Sequence, residues 1–502
     1  MADTKREIER KYESDESGLP DLTGVAGVAT VVDKGVAELD AVYYDTYDER
    51  LAASSITLRR RTGGSDAGWH LKFPVSTGVR DEIHAPLSDT VPRTLTGLVR
   101  SLVRDGELLP VMRLRSARDV RDLLDADGAL LAEVSVDAVR AERIGGKGGT
   151  AQWTEIEVEL ADDGDPGFLD KVDKKLRKAG VRASESPSKL ARALAETSPK
   201  KRRKQRTTAA APLDTAGDHV LAYIRTQRDA IIELDPAVRR DLPDSVHSMR
   251  VATRRLRSTF RSYGSVLDRA VTDPIGEELK WLAGELGVDR DQEVLTERLT
   301  AALDELPRAL LAGPVRRRLR TWSHARHGGS RRRLIAVLDG RRYLELLGTL
   351  DALATDPPLR AAAADDPEKV IAKAVRKDFK KLSDLAEQAI GLPSGADRDL
   401  AMHDARKKAK RTRYAAETAA PVLGKPASEL VKSMKSLQSL LGDHQDSVMT
   451  RGALRDLAIQ AHSAGESAFT YGLLYGREER RAELAEAALP EAWETIKGAM
   501  AV

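Results

Sequence analysis

In QWTEIEVEL (residues 152–160) carboxylates stand at every second position, Glu155, Glu157 and Glu159, with Ile156, Val158 and Leu160 between or after them. A strand turns successive side chains to opposite faces, so the three acids share one face. The same pattern recurs as Glu7, Glu9 and Lys11 in REIERKY, Arg59 and Arg61 in SITLRRR, Arg113 and Arg115 in LPVMRLRSA, and Glu133 and Asp137 in ALLAEVSVDAV. On a single strand a charged face is simply the wet face. These segments together with WHLKFPV, some acid-rich and some base-rich, instead predict a closed antiparallel sheet with its charges lining a lumen and its apolar faces packed outward on helices. Helices are expected near 92–106 and 166–195.

A lumen of that kind has a definite chemistry. Clustered carboxylates suit Mg²⁺ or Mn²⁺, which prefer oxygen ligands, and clustered Arg and Lys suit phosphate oxygens. Metal and bases facing one another form a phosphoryl-transfer environment. The chain has no cysteine among its 502 residues, which excludes disulfides, thiolate catalysis and cysteine-ligated metal.

The formal net charge of +3 conceals a division. Residues 1–198 hold 29 basic and 36 acidic side chains, and 199–502 hold 53 and 43. The break falls at SPKKRRKQRTTAAAPLDTAG (198–217), which reads as a basic tethering linker.

Beyond it lie long Leu/Ala/Arg/Glu segments with breaks at 241–245, 268–274, 311–314, 355–359, 391–395 and 422–426, the signature of stacked helices. Two of them repeat one pattern. His247, Arg250, Arg254 and Arg257 follow spacings 3, 4, 3, and His403, Arg406, Lys410 and Arg413 follow the same spacings 156 residues later. LGVDRDQEVL and LGDHQDSVMT recur at an offset of 155. Two patches at nearly one offset indicate an internal duplication, and the spacing puts each set on one helical stripe. Like charges so placed cost an isolated helix a few tenths of a kcal/mol per pair, so duplicated stripes point to a polyanion. DNA or RNA is disfavoured by the acidic first half and the lack of stacking aromatics.

The first half resembles the CYTH, or triphosphate tunnel metalloenzyme, superfamily over about residues 5–195. The resemblance rests on Glu7-Ile8-Glu9-Arg10-Lys11 as ExExK, followed in order by LRRR, HLK, EVSVD, EIEVE and SK. It implies an eight-stranded tunnel that binds triphosphate, with Glu7, Glu9, Glu157 and Glu159 as the main metal ligands and Asp137 or Glu133 orienting metal or water. It also implies Lys11, Arg59, Arg61, Lys72, Arg113 and Arg115 along the phosphate track, with either Arg115 or Arg118 as the contact in that strand. Lys189 would contact phosphate or activate water. Family members include inorganic and thiamine triphosphatases and class IV adenylate cyclases. Trp69 and Trp153 are read as core or rim, so the inorganic substrate is preferred.

The second half resembles the CHAD family over about 215–495, through VHSMRVATRRLRSTFRSY, ELKWLAGELGVDRDQEVL, MHDARKKAKRTRYAAE and SLQSLLGDHQDSV in order. That family binds inorganic polyphosphate. The resemblance implies His247, Arg250, Arg254, Arg257, His403, Arg406, Lys407, Lys410 and Arg413 as binding residues, with Lys280, Arg290 and His444 in support and Asp291 and Asp446 as braces.

The expected fold is α+β and multidomain: an N-terminal antiparallel eight-stranded β tunnel with flanking helices (1–197), a linker (198–214), and C-terminal all-α tandem helical bundles with a pseudo-two-fold repeat (215–497, repeats about 215–355 and 365–497). The expected function is a Mg²⁺- or Mn²⁺-dependent triphosphatase acting on triphosphate or short polyphosphate, joined to a polyphosphate-binding helical domain. The alternatives are a non-catalytic polyphosphate-binding or granule-targeting protein, and adenylate cyclase or organic triphosphatase activity of the tunnel. Partners are inorganic triphosphate and polyphosphate, with no membrane and no obligate protein partner. MADTKREIERKY shows no signal peptide, so a cytoplasmic location is expected.

Overall fold

The computed structural model describes residues 3–14, 18–145, 148–198, 213–327 and 330–500, and leaves outside the description the side chains of 3, 288–293, 325–327, 330 and 499–500. The expected linker lies almost wholly outside the described residues. The chain forms two compact units, Met1–Ala210 and Ala211–Val502.

The first unit is a closed antiparallel barrel. Its strands are β1 (Asp3–Glu13), β2 (Thr30–Asp45), β3 (Thr57–Thr62), β4 (Gly68–Ser76), β5 (Val79–Ala85), β6 (Leu109–Leu124), β7 (Leu130–Arg143) and β8 (Thr150–Leu160). They run in the order β5-β4-β3-β2-β6-β7-β8-β1, and β1 closes on β5. A two-residue β9 (Arg182–Ala183) adds to β1. The barrel packs on α1 (Arg50–Ala53), α2 (Arg93–Leu98), α3 (Arg100–Val103), α4 (Gly167–Lys178) and α5 (Lys189–Thr197). The helix expected over 166–195 is thus two helices separated by β9.

The outward faces are apolar, as the alternation predicts. Ile156, Val158 and Leu160 of β8 bury against Phe168, Leu169, Val172 and Leu176 of α4. Leu58, Trp69, Leu71 and Ile83 bury against Leu95, Val99 and Val103. The inward face is not charged throughout. Ala41, Tyr43, Met112, Leu114, Val139, Ala141 and Trp153 share inward parity, and they cluster with Leu190, Ala193 and Leu194 of α5. One end of the lumen is therefore filled by an apolar plug, and α5 belongs to it.

The second unit is all helix apart from one isolated β-bridge: α6 (Ala216–Arg239), α7 (Ser245–Ser262), α8 (Arg269–Glu285), α9 (Val288–Asp304), α10 (Val315–His327), α11 (Ser330–Asp339), α12 (Arg341–Thr355), α13 (Pro367–Gly391), α14 (Ala396–Leu423), α15 (Lys425–Ser463) and α16 (Phe469–Met500), with two short 3₁₀ turns. The break expected at 268–274 is instead the start of α8: Asp268 caps it by accepting from the Ala270 N–H, and Pro274 is carried inside. The two stripe helices, α7 and α14, pack against one another. Their contact is fixed by Tyr263, whose hydroxyl donates to the Ala415 carbonyl at 2.8 Å. Among the described residues no helix is long and apolar enough to cross a membrane.

Candidate functional site

Cross-strand pairing sets what the lumen contains, because residues directly opposite in a ladder share a face. Glu9 stands opposite Glu159, and Glu159 stands opposite Glu133. Three carboxylates on adjacent strands β1, β8 and β7 thus lie at one level. Like charges facing each other destabilise a sheet unless a cation lies between them. Lys5 reaches Glu159 at 2.8 Å and Lys11 reaches Glu9 at 3.0 Å. Glu133 is raised by burial and then by Glu159. Glu7, one residue pair along β1, bonds Lys72 at 2.6 Å. Burial pushes Glu7 up to about 7, with Glu82 and Glu159 adding and Lys72 opposing. A row of carboxylates facing one another across three strands is a candidate donor set for a hard divalent cation.

A second acidic group behaves differently. Asp137, Glu155 and Glu157 hold ligand atoms within 4.8 Å of one another. The Lys189 ammonium sits among them, at 3.0, 2.7 and 2.6 Å respectively. Ser188 caps α5 by accepting from the Ala191 N–H at 3.1 Å, which makes Lys189 the first helical residue and aims it inward. Arg118 grips the same group, with Nε to Asp137 at 2.8 Å and Nη2 to Asp137 and Glu157 at 2.7 and 2.8 Å. Lys11 also bonds Glu157. Against a burial penalty, Asp137, Glu157 and Glu155 raise the Lys189 pKa. Three carboxylates at this distance favour the protonated form of Lys189. Asp137 is in turn committed to Lys189 and Arg118.

Parity settles the strand in which two arginines competed. Arg118 faces inward opposite Asp137, whereas Arg113 and Arg115 face outward, where Arg113 bonds Asp40 at 2.8 Å and Arg115 lies 3.6 Å from it. The expectation that Arg113 and Arg115 line the track is corrected: they stand an odd number of residues from Arg118, on the opposite face of the same strand.

The basic wall is Arg59, Arg61, Lys72 and Arg118. Burial lowers the Arg61 pKa, and Arg59 and Arg118 lower it further. The buried Nε atoms of Arg59 and Arg61 have no hydrogen-bond partner among the described residues. Their other nitrogens are engaged, Arg61 with Asp66 and Arg59 with Tyr43 and, at 3.9 Å, Glu82. Beside this wall lie Glu82 of β5 and His70 of β4, which the sequence pattern does not single out. His70 Nδ1 lies 2.8 Å from Glu82, and burial pushes its pKa down to about 4, so it is neutral. Against burial, His70 and Lys72 hold Glu82 well below the usual carboxylate range. Trp69 is fully buried outside the lumen. The inward aromatics are committed elsewhere: Tyr43 accepts from Arg59 at 3.4 Å, and Trp153 donates to Glu155 at 2.5 Å beneath Arg192.

In the helical unit both stripes meet at one seam. Burial pushes Lys410 down to about 7, with Arg406, Arg254, Arg250 and Arg413 adding, so cations of α7 and α14 act on one ammonium. No carboxylate is recorded within 4.0 Å of Lys410 among the described residues. The second repeated motif explains its glycines here. A Cβ at Gly287 would come within 2.6 Å of the Arg250 guanidinium, and one at Gly442 would lie 3.7 Å from that of Arg406. In each repeat the LG segment on the next connection or helix is a seat for the stripe arginine, a pairing the sequence offsets of 155 and 156 allow but do not reveal.

The other candidates divide. His403 is half-buried, and burial and then Lys407 lower its pKa, while His247 is exposed. Arg257 lies 3.8 Å from Glu277. Arg413 lies 3.3 Å from Glu417 and over the Tyr414 ring. Lys407 and Lys280 are exposed and paired along their own helices with Asp404 and Glu277, at 2.9 and 3.1 Å. Asp446 lies 4.0 Å from Arg298, and burial raises its pKa, with Arg406 and Arg298 opposing. Arg290 and Asp291 lie outside the described residues. His444, expected to support anion binding, is instead 1% exposed and faces two carboxylates, Asp399 at 3.1 Å and Glu486 at 3.5 Å, joining α14, α15 and α16.

The fold and these sites define a protein of two units, a closed tunnel with acids facing bases and a duplicated helical unit with a basic seam. The chain belongs to the proteins that join a CYTH domain, matched over residues 5–194, to a CHAD domain, matched over 222–455. An uncharacterized protein of Mycobacterium tuberculosis, in strains CDC 1551 and H37Rv, is 39% identical over 503 residues, covering 96% of this chain and 95% of its own. PptA from Streptomyces chartreusis is similar in structure with a TM-score of 0.48 at 21% identity, over 56% of this chain and 99% of that one. The CHAD domain of the plant Ricinus communis gives 0.45 at 23% identity, over 59% and 94%.

Proposed function

We propose that the tunnel hydrolyses inorganic triphosphate or short polyphosphate with Mg²⁺ or Mn²⁺, and that the helical unit binds inorganic polyphosphate. The observation that carries the tunnel reading is the set of inward-facing bases, Arg59, Arg61, Lys72 and Arg118, in one closed barrel with a row of opposed carboxylates. CYTH tunnel proteins are metal-dependent, and Glu7, Glu9, Glu157 and Glu159, with Asp137 or Glu133 beside them, are the residues that would hold the ion here. A bound divalent cation would polarise a phosphoryl oxygen and lower the pKa of a water. Arg59, Arg61, Arg118 and Lys72 neutralise the non-bridging oxygens and hold the chain of phosphates along the wall. Lys189, held among three carboxylates that favour its protonated form, keeps Glu157 and Asp137 from repelling the substrate. With Tyr43 and Trp153 already bonded, the lumen offers an inorganic phosphate chain more than it offers a base. Association with polyphosphate granules would follow from the helical unit.

Two comparisons test this. Arg118→Ala should lower kcat/KM for triphosphate by about 10²-fold, the scale of one lost oxyanion contact, while Arg115→Ala should leave it within about twofold. Phosphate release measured on both variants decides it, and equal losses would contradict the inward and outward assignment.

Lys410 makes the helical reading sensitive to pH. Its folded pKa, about 7, lies below the ordinary 10.5. Between those values the unfolded chain binds more protons, so folding stability rises with pH there. A bound polyanion restores the proton, so binding takes one up, and polyphosphate affinity should fall about tenfold from pH 7 to pH 8.5. Lys410→Arg, which keeps its charge throughout, should remove that slope. Titrations at both pH values check it; an unchanged slope in the arginine variant assigns the proton elsewhere.

A further inference from the structure

The stripe on α7 does not end at Arg257. Arg261 follows four residues later, and the two open together into a cavity of about 770 Å³ lined from α7, α8, α13 and α14. Eight basic and four acidic side chains line it. Three of the acids are already engaged. Asp378 accepts from Lys408 at 2.6 Å and Arg411 at 3.2 Å, Asp273 bonds Arg269 at 2.7 Å, and Glu277 bonds Lys280 at 3.1 Å. Across the cavity, Lys373, Lys377 and Lys381 recur every four residues along α13 and so share one helical face. They are exposed, and no carboxylate is recorded within 4.0 Å of them among the described residues. That row of uncompensated like charges costs helix stability and was absent from the motifs that the sequence pattern singled out.

The duplication is broken at this point. With the offset of 156, Arg261 of the first repeat corresponds to Glu417 of the second. Glu417 accepts from Arg255 at 2.9 Å and from Tyr223 at 3.2 Å, and lies 3.3 Å from Arg413. An acid thus neutralises the stripe at one end of the seam. At the other end Glu277 lies 3.8 Å from Arg257 and 3.4 Å from Arg261, yet the stripe runs on, by about 6 Å of helix between the two arginines, into a cavity whose bases outnumber its acids eight to four.

We propose that this cavity is a subsite for the distal phosphates of a long polyphosphate chain, continuing the seam at one end only and setting the preference for chain length. The proposal rests on the polyphosphate reading of the helical unit. A small free anion held in isolation predicts no dependence on chain length, and the experiment separates the two.

Binding of the full chain to a length series of linear polyphosphate, at fixed salt and without added metal, is the test. Wild-type affinity should rise with chain length. The triple variant Lys373→Ala, Lys377→Ala, Lys381→Ala should flatten that rise and weaken the longest chains by about tenfold or more, with the shortest unaffected. Glu277→Gln, which removes an acid from the rim, should tighten the longest chains. Lys380→Ala, on the same helix and 3.6 Å from Asp384, should match wild type. An unchanged length dependence in the triple variant, or an equal loss at every length, overturns the subsite and leaves the seam standing. Absence of binding at any length by the wild type overturns the polyphosphate reading itself, and the subsite with it.

Discussion

With Glu9 and Glu159 both replaced by glutamine, metal-dependent phosphate release from triphosphate should fall by about 10³-fold or more while the barrel stays folded. These two stand directly opposite across β1 and β8, with Glu133 opposite Glu159 on the far side. Removing both charges takes away the central donors of the row, and with them about 4 kcal/mol of charge stabilisation at the phosphoryl group, which is about 10³ in rate. The amide keeps the volume, and Lys11 retains Glu157. Relief of the two facing like charges is offset by the loss of the Lys5 and Lys11 pairs, so the melting temperature should change by only a few degrees. Phosphate release and a thermal melt on the same preparation check both halves. Activity within tenfold of wild type would remove these carboxylates from the metal site.

The second large effect belongs to the helical seam. Replacing Arg250, Arg254, Arg406 and Lys410 with alanine should weaken long-chain polyphosphate by about 10³-fold at low salt. Polyanion binding releases counterions in proportion to the charges neutralised, so the log–log salt slope should flatten by roughly three to four. Stability should move the opposite way. The downward push on Lys410 from Arg406, Arg254 and Arg250 records repulsion that the folded protein carries, and the variant relieves it. Weaker binding with a higher melting temperature marks a functional charge cluster, whereas a structural role would lower both. Retained affinity with the wild-type salt slope would contradict the assignment.

Much of this was legible in the alternation and the duplication. Period-2 charge at Glu7, Glu9, Lys11 and at Glu155, Glu157, Glu159 fixes which face of β1 and β8 is inward, because Ile8 and Val158 need the other. The 156-residue offset predicts two equivalent helices, though not that they pack on one another. Arg113, Arg115 and Arg118 resisted assignment for a definite reason. Their strand carries Met112 and Leu114 on the inward face, where the lumen is plugged by α5, so local hydrophobicity points the wrong way. Only pairing with Asp137 on β7 and Asp40 on β2 resolves it. Glu82 was hidden because VRDEIHA mixes charges of both signs with few apolar positions. His444 lies in a repeated motif shared with binding residues, yet its burial depends on Asp399 and Glu486 from two other helices. Gly287 and Gly442 make sense only when the arginines that lie over them are seen.

The central claim is that the tunnel cuts an inorganic phosphate chain with the help of a divalent cation. The most direct measurement follows products from inorganic triphosphate and from ATP, with Mg²⁺ or Mn²⁺ and again after chelation. The predicted result is phosphate and pyrophosphate from triphosphate, lost on chelation and restored by either metal, with ATP turned over more slowly. Cyclic nucleotide and pyrophosphate from ATP as the main products, or no metal-dependent release from triphosphate, would contradict it.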